Sequence, residues 1–312
     1  MLYRMLIALL GFASSGLAQT VLDLPGRGKH IVLIAGDQEY RSEESIPALA
    51  RILATRHGFH CTVLFSTNPK TGAIDPDTID NIPGLEALRT ADLMVLFARW
   101  LELPDEQMKE IIDYTNSGRP IVALRTSTHP FNYRKRLDSP YAKFSYNSKV
   151  LPGGYGREVL GETWINHYGA HQKQSTRGVM VPEMANHPIL RGVHDIWGES
   201  DVYAITTLSG DSRSLVMGQV LNGMTPDSPP DDSKHLVPIA WIKTYTGESG
   251  KTSRVFTTTM GHAMDFPNEG FRRMLVNACY WGMGMESRIE AGSSVEFVGE
   301  YRPHPIGVGK GK

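Results

Sequence analysis

Four apolar runs constrain this chain most, because each breaks off into a cluster of charged or hydrogen-bonding groups. They are His30–Tyr40, Ala91–Trp100, Pro120–His129 and Arg254–His262. Apolar residues continue through each run without alternation, which predicts strands buried on both faces. Open parallel sheets bind ligands just beyond the carboxyl ends of their strands. The runs therefore predict one site, rimmed by Asp37, Glu39, Arg41, Arg99, Arg125, His129 and His262.

Helices are expected between the strands. Ser42-Glu43-Glu44-Ser45 opens one, its acidic residues facing the positive end of the helix dipole, and Gly58 stops it. His60–Phe65 returns as a strand. Pro104 begins a second long helix, where its missing N–H costs nothing, and Gly118 ends it. Strands are also expected over 202–207, 214–221, 236–245 and 254–260, and a last helix after Asn268. This alternation predicts a doubly wound, mostly parallel sheet with right-handed crossovers. Residues 130–180 break the rhythm with Gly153, Gly154, Gly156, Gly161, aromatics and charges, and read as an elaborated loop region over the strand ends. The expected organisation is a leader over 1–18, one α/β domain over 28–286 and an extended tail over 287–312.

The leader resembles a secretory signal. Arg4 supplies the positive start, Met5 to Ala13 a short apolar stretch, and Gly16-Leu17-Ala18 the small residues a signal peptidase reads. The stretch is too short to span a bilayer comfortably, so cleavage before Gln19 and a periplasmic or secreted protein are expected, with no membrane partner after cleavage. Lys plus Arg total 32 and Asp plus Glu 33, for a formal net charge of −1. Without a concentrated positive face, a nucleic-acid partner is disfavoured. Export permits a disulfide between Cys61 and Cys279, but both fall inside expected elements and are read as buried free thiols.

Several residues carry candidate chemistry. Asp37, Glu39, Tyr40 and Arg41 can pair locally or grip a hydroxylated ligand. Helix capping accounts equally well for Asp37 and Glu44, which leaves Glu39 as the stronger functional candidate. Arg125-Thr-Ser-Thr-His129 occupies a strand-to-helix turn like that of a nucleophile elbow. It lacks the Gly-x-Ser-x-Gly pattern, and His129 is too near Ser127 to serve it as base. His129 is instead read as a general acid/base group or ligand, against a structural histidine ahead of Pro130. His167 and His171 are four apart, a spacing that suits a divalent metal such as zinc, with His129 and His262 as further ligands; Gly169 argues against a helix there. His262 and Asp265 could form a polarised acid/base pair, although Asp265 could instead cap the last helix.

These stretches resemble the ThuA-like, or trehalose-utilisation, family. The resemblance rests on Ile31–Glu44, Gly118–Phe131, Trp164–His171, Asn186–Gly192, Thr258–Phe266 and Phe271–Ala278. It implies a flavodoxin-like, class I glutamine amidotransferase-like fold. Those amidotransferases place a cysteine at the elbow, where this chain has Thr126 and Ser127, so the resemblance does not extend to glutaminase chemistry. It implies a sugar, glycoside or keto-sugar substrate.

The leading expectation is an exported enzyme, a hydrolase or lyase of sugar derivatives. His129, His262 and Glu39 are its expected catalytic groups. Asp37, Tyr40, Arg41, Arg99, Trp100, Arg125 and Tyr168 are expected to bind substrate, and His167 and His171 to hold any metal. The rival is a non-catalytic carbohydrate-binding protein, with Trp100, Tyr133, Tyr155, Trp164 and Tyr168 stacking on sugar rings. A homo-oligomer is compatible with either.

Overall fold

The computed structural model describes residues 21–205 and 207–307. The expected leader, 1–18, lies outside the described residues. No helix among them is long and apolar enough to cross a membrane.

Among the described residues, ten strands form one sheet: β1 (Val21–Leu24), β2 (His30–Gly36), β3 (His60–Phe65), β4 (Leu93–Ala98), β5 (Ile121–Leu124), β6 (Thr176–Met180), β7 (Trp197–Gly198), β8 (Arg213–Val220), β9 (Val237–Thr246) and β10 (Thr252–Thr258). Their order across the sheet is β1-β3-β2-β4-β5-β10-β9-β8-β6-β7. The centre, β3-β2-β4-β5-β10, is parallel, with Ile31 opposite Cys61 and Leu93, and Val255 opposite Ile121. The remaining strands add antiparallel at both margins. The fold is the expected α/β class, with a longer antiparallel extension than the mostly parallel reading held.

The buried runs explain the layering. On β2, Ile31, Leu33 and Ala35 join one core with α1 (Ser42–His57) and α3 (Glu269–Gly282). Val32 and Ile34 join the other core with α2 (Asp105–Asn116). A strand covered on both faces gains nothing from polar alternation, so the sequence shows none. Helix α1 has Glu43 and Glu44 in its first turn and Arg56 and His57 in its last, which places each charge against the dipole end that favours it. Gly58 closes it at φ 75°, a conformation glycine adopts without a Cβ clash. The chain leaves β2 toward β3 on one side, while β4 lies on the other. The crevice between β2 and β4 is thus a topological switch point, where such sheets take ligands.

Two local expectations are corrected. Among the described residues of 202–207 no strand forms; Tyr203 alone makes a bridge, to His167. Its neighbours are committed to loop contacts, with Ala204 donating to the Asn166 carbonyl and Tyr168 to that of Val202. The last helix is capped by Asn268, which accepts from the Phe271 amide, and not by Asp265.

Candidate functional site

The turn after β5 holds the centre of the site. Arg125 sits at φ 46°, a left-handed conformation rare for a non-glycine residue and one that marks a strained elbow. The strain aims an arginine side chain inward. Gly261, at φ 149°, lets the neighbouring turn pass close, since a Cβ there would lie 3.1 Å from Leu124 Cβ and 3.3 Å from Arg125 Cβ. Ser127 is not available as a nucleophile: its hydroxyl donates to the Leu96 carbonyl (2.8 Å) and accepts from the Ala98 amide (3.2 Å).

The Arg125 guanidinium is wholly buried. It donates to Asp201 Oδ1 (2.8 Å), to the carbonyls of Asp201 (2.6 Å) and Thr259 (2.7 Å), and to Tyr40 Oη (3.2 Å). It also lies over the rings of Tyr203 (3.9 Å) and Tyr40 (4.4 Å). Cation–π contact and a carboxylate together offset the cost of burying the charge.

Asp201 gathers two imidazoles. Its Oδ2 lies 2.6 Å from His167 Nδ1 and its Oδ1 3.0 Å from His171 Nδ1. Burial alone would raise this carboxyl, but the Arg125 charge and the two imidazole hydrogen bonds hold it well below the usual carboxylate range. An ionised carboxylate only accepts, so each Nδ1 donates and each Nε2 keeps a lone pair when the ring is neutral. His171 Nε2 faces Glu39 Oε1 at 3.6 Å, and Glu39 Oε2 pairs with Arg99 Nη2 at 2.9 Å. The two imidazole centroids are 4.5 Å apart. The His167–His171 segment is a loop, and Gly169 lets it fold against Asp201, whose Cβ would lie 3.2 Å from a Cβ at that position. Asp265 braces the segment that carries Asp201. It accepts from the amide (2.9 Å) and hydroxyl (2.6 Å) of Ser200 and from the amides of Gly261 (2.9 Å) and His262 (3.1 Å).

An aromatic wall continues from the histidines. His129 packs against Trp164 (centroids 5.1 Å), Trp100 (5.9 Å), Tyr203 (6.1 Å) and Tyr146 (6.2 Å). Trp164 meets His167 at 5.8 Å. The indole N–H groups of Trp100 and Trp164 are buried and have no protein partner. Glu39, Arg99, Trp100, Tyr146, Trp164, His167 and His171 are all half-buried, so each keeps some surface open to solvent.

Residues 31–282 match the ThuA family, described as trehalose utilisation. The chain belongs to the ThuA family. Among solved structures, it resembles a ThuA-like protein from Parabacteroides merdae at 15% identity and TM-score 0.52, covering 89% of this chain and 95% of that one. It also resembles a ThuA-like protein from Bacteroides uniformis at 13% identity and TM-score 0.51, covering 86% and 95%. At these identities the likeness shows the fold. No protein of curated function matches the chain.

In this ThuA chain the residues expected at the site separate into two groups. Glu39, Tyr40, Arg99, Trp100, Arg125, His129, His167 and His171 are brought together. Asp37 is buried beneath them, accepting from Thr126 Oγ1 (2.7 Å) and the amides of Glu39 (2.9 Å) and Tyr40. Burial pushes its carboxyl up to about 6. Arg41 turns away, donating from Nε to the Pro305 carbonyl at 3.1 Å. Tyr168 accepts from the His235 amide at 2.9 Å and lies beneath the Lys234 ammonium.

His129 is 2% exposed; burial, then the charges of Arg99 and Arg125, holds it well below the usual histidine range. His262 is 1% exposed and burial pushes it down to about 4. Asp265 bonds the His262 amide and not its ring, and both ring nitrogens lack partners. Both imidazoles are therefore neutral, and the His262 ring packs edge-on to Tyr40 (5.9 Å). Tyr133 and Tyr155 cannot stack on a sugar: both are buried in the α2-side core, with hydroxyls bonded to the Leu103 carbonyl (2.9 Å) and to Thr115 (2.8 Å). Cys61 and Cys279 are buried free thiols, and burial raises both, Cys61 to about 12.

Sequence reasoning missed Asp201. The available signal was a short polar group, Glu199-Ser200-Asp201, directly before the apolar Val202.

Proposed function

We propose that this ThuA protein is an exported enzyme of carbohydrate utilisation acting on a sugar or keto-sugar derivative, with His167 and His171 as its acid/base groups. One observation carries the reading: a single buried carboxylate, Asp201, accepts from the Nδ1 atoms of two partly exposed imidazoles. That arrangement fixes both tautomers and leaves both Nε2 atoms for a ligand in the crevice. Unlike His129 and His262, these rings reach solvent. Glu39 and Arg99, paired beside His171, would orient hydroxyls. The rings of Trp100 and Trp164, backed by the buried His129, offer apolar faces to a pyranose, whose own faces are apolar and edges polar. Export rests on the leader over 1–18.

A metal-assisted form has its own support. Ligand atoms of His167, His171 and Asp201 all lie within 4.8 Å of one another, a spread compatible with one divalent ion such as zinc. Against a three-ligand cage, Asp201 is already balanced by Arg125. Elemental analysis of the purified protein separates the two forms.

The testing experiment incubates the full chain with a panel of disaccharides and keto-sugars and follows products by mass spectrometry. Turnover lost in His167→Ala and His171→Ala, with folding retained, supports the proposal. Saturable binding with no product from any sugar favours the carbohydrate-binding alternative.

A further inference from the structure

One charged group at the mouth of the crevice is unaccounted for by the acid/base reading. Arg134 is exposed, and its guanidinium carbon lies 5.6 Å from the centre of the Trp100 ring. The other arginine on that ring, Arg99, lies 3.7 Å from its centre and is neutralised by Glu39. Among the described residues, no carboxylate comes within ion-pair distance of Arg134.

The neighbouring acid is committed elsewhere. Glu102 Oε1 accepts from the amides of Lys135 (2.6 Å) and Arg136 (2.6 Å), which fixes the turn that presents Arg134. The side chain is fixed as well. Asn132 is buried, and in the amide orientation that satisfies both groups its oxygen accepts from Arg134 Nη2 (2.6 Å) and Nε (2.8 Å). One edge of the guanidinium is thereby occupied. The edge formed by Nη1 and the remaining Nη2 proton stays available, and it is the geometry that grips a carboxylate or phosphate with two bonds. Holding the side chain in advance lowers the entropy lost on binding.

The charge balance along the crevice gives direction. At the histidine end, Arg125 is matched by Asp201 and Arg99 by Glu39. At the Trp100 end a positive charge is unmatched. We infer that Arg134 is a specificity-determining residue that receives an anionic substituent, a phosphate or a carboxylate, on the saccharide bound along the Trp100 and Trp164 rings. The inference rests on the sugar reading above and deepens it: the substrate is a charged sugar derivative with its charge remote from the reacting centre.

Isothermal titration of the full chain tests this with trehalose, trehalose 6-phosphate and trehalose carrying a carboxylate at the same carbon. At least one charged sugar is expected to bind about tenfold tighter than trehalose at low salt, with the preference shrinking as salt rises. Which charged sugar gains identifies the anion. Arg134→Gln should erase the preference and leave trehalose affinity unchanged; the Gln side chain keeps an N–H donor for Asn132, and circular dichroism checks that the variant is folded. Equal affinity for all three sugars, or a preference that survives Arg134→Gln, overturns this inference alone. Absence of binding by every sugar overturns it together with the sugar reading.

Discussion

Arg125 and Asp201 meet at 2.8 Å with no solvent exposure on either side chain, and the rest of the site is assembled on that pair. Arg125 opens the turn after β5 in a left-handed conformation, φ 46°. Here the strained turn holds a positive charge beneath a carboxylate, and the carboxylate in turn orients two imidazoles. Replacing Arg125 by Met leaves Asp201 buried without its counter-charge. The expected cost is about 3–5 kcal/mol of unfolding free energy, read from denaturant titration.

Asp201→Asn keeps the shape but removes the acceptor-only character that fixes both Nδ1 protons. An amide can present its NH2 to one ring and reverse that tautomer. If His167 and His171 transfer protons, turnover on any substrate found should fall by about 10²–10⁴-fold with little change in KM. A change confined to KM would mean that Asp201 only shapes the crevice.

His262 makes folding sensitive to acid. Burial holds the ring at about 4, below its unfolded value, with Asp265 and Glu44 opposing and the Arg125 charge adding to the depression. A depressed base binds its proton in the unfolded chain first. Its contribution to stability is therefore present above about pH 6.5 and is lost as pH falls toward 4, by roughly 3 kcal/mol in all. His262→Phe should flatten the stability curve by about one proton over that window. Asp37, raised to about 6, acts with the opposite sign, losing stability as pH rises from about 4 to 6. Other buried groups contribute in the same window, among them His129, held low by burial, and Glu43, pushed up to about 7 by burial, so only the variant isolates the His262 contribution.

Ser127→Ala tests the elbow directly. The hydroxyl bridges the Leu96 carbonyl and the Ala98 amide, so its loss leaves buried groups without partners and should cost about 1–3 kcal/mol of stability. Activity per folded molecule should be unchanged. Lost activity in a fully folded variant would restore a covalent mechanism.

The runs ending at Gly36, Ala98, Leu124 and Thr258 were legible because continuous burial leaves a local trace in composition, and the switch point follows from their order. Glu39, Arg99 and Arg125 were legible because each directly follows such a run. Asp201 was not, because its role depends on contacts with Arg125, His167 and His171, which lie 76, 34 and 30 positions away. The loop pairing of Asn166 with Ala204 competes with the strand that the apolar residues after Asp201 suggest, and periodicity does not reveal it. His129 and His262 illustrate the converse: a histidine after a strand end points into a site or under it with the same local sequence. Only burial separated them from His167 and His171.

The most direct test is long-range proton–nitrogen NMR of the histidine rings in the full chain near neutral pH. The tautomers of His167 and His171 report whether Asp201 sets two proton-transfer groups. Both rings should carry their proton on Nδ1 when neutral and leave Nε2 bare, and Asp201→Asn should abolish that uniformity. Neutral rings protonated on Nε2 in the wild-type protein would contradict the account.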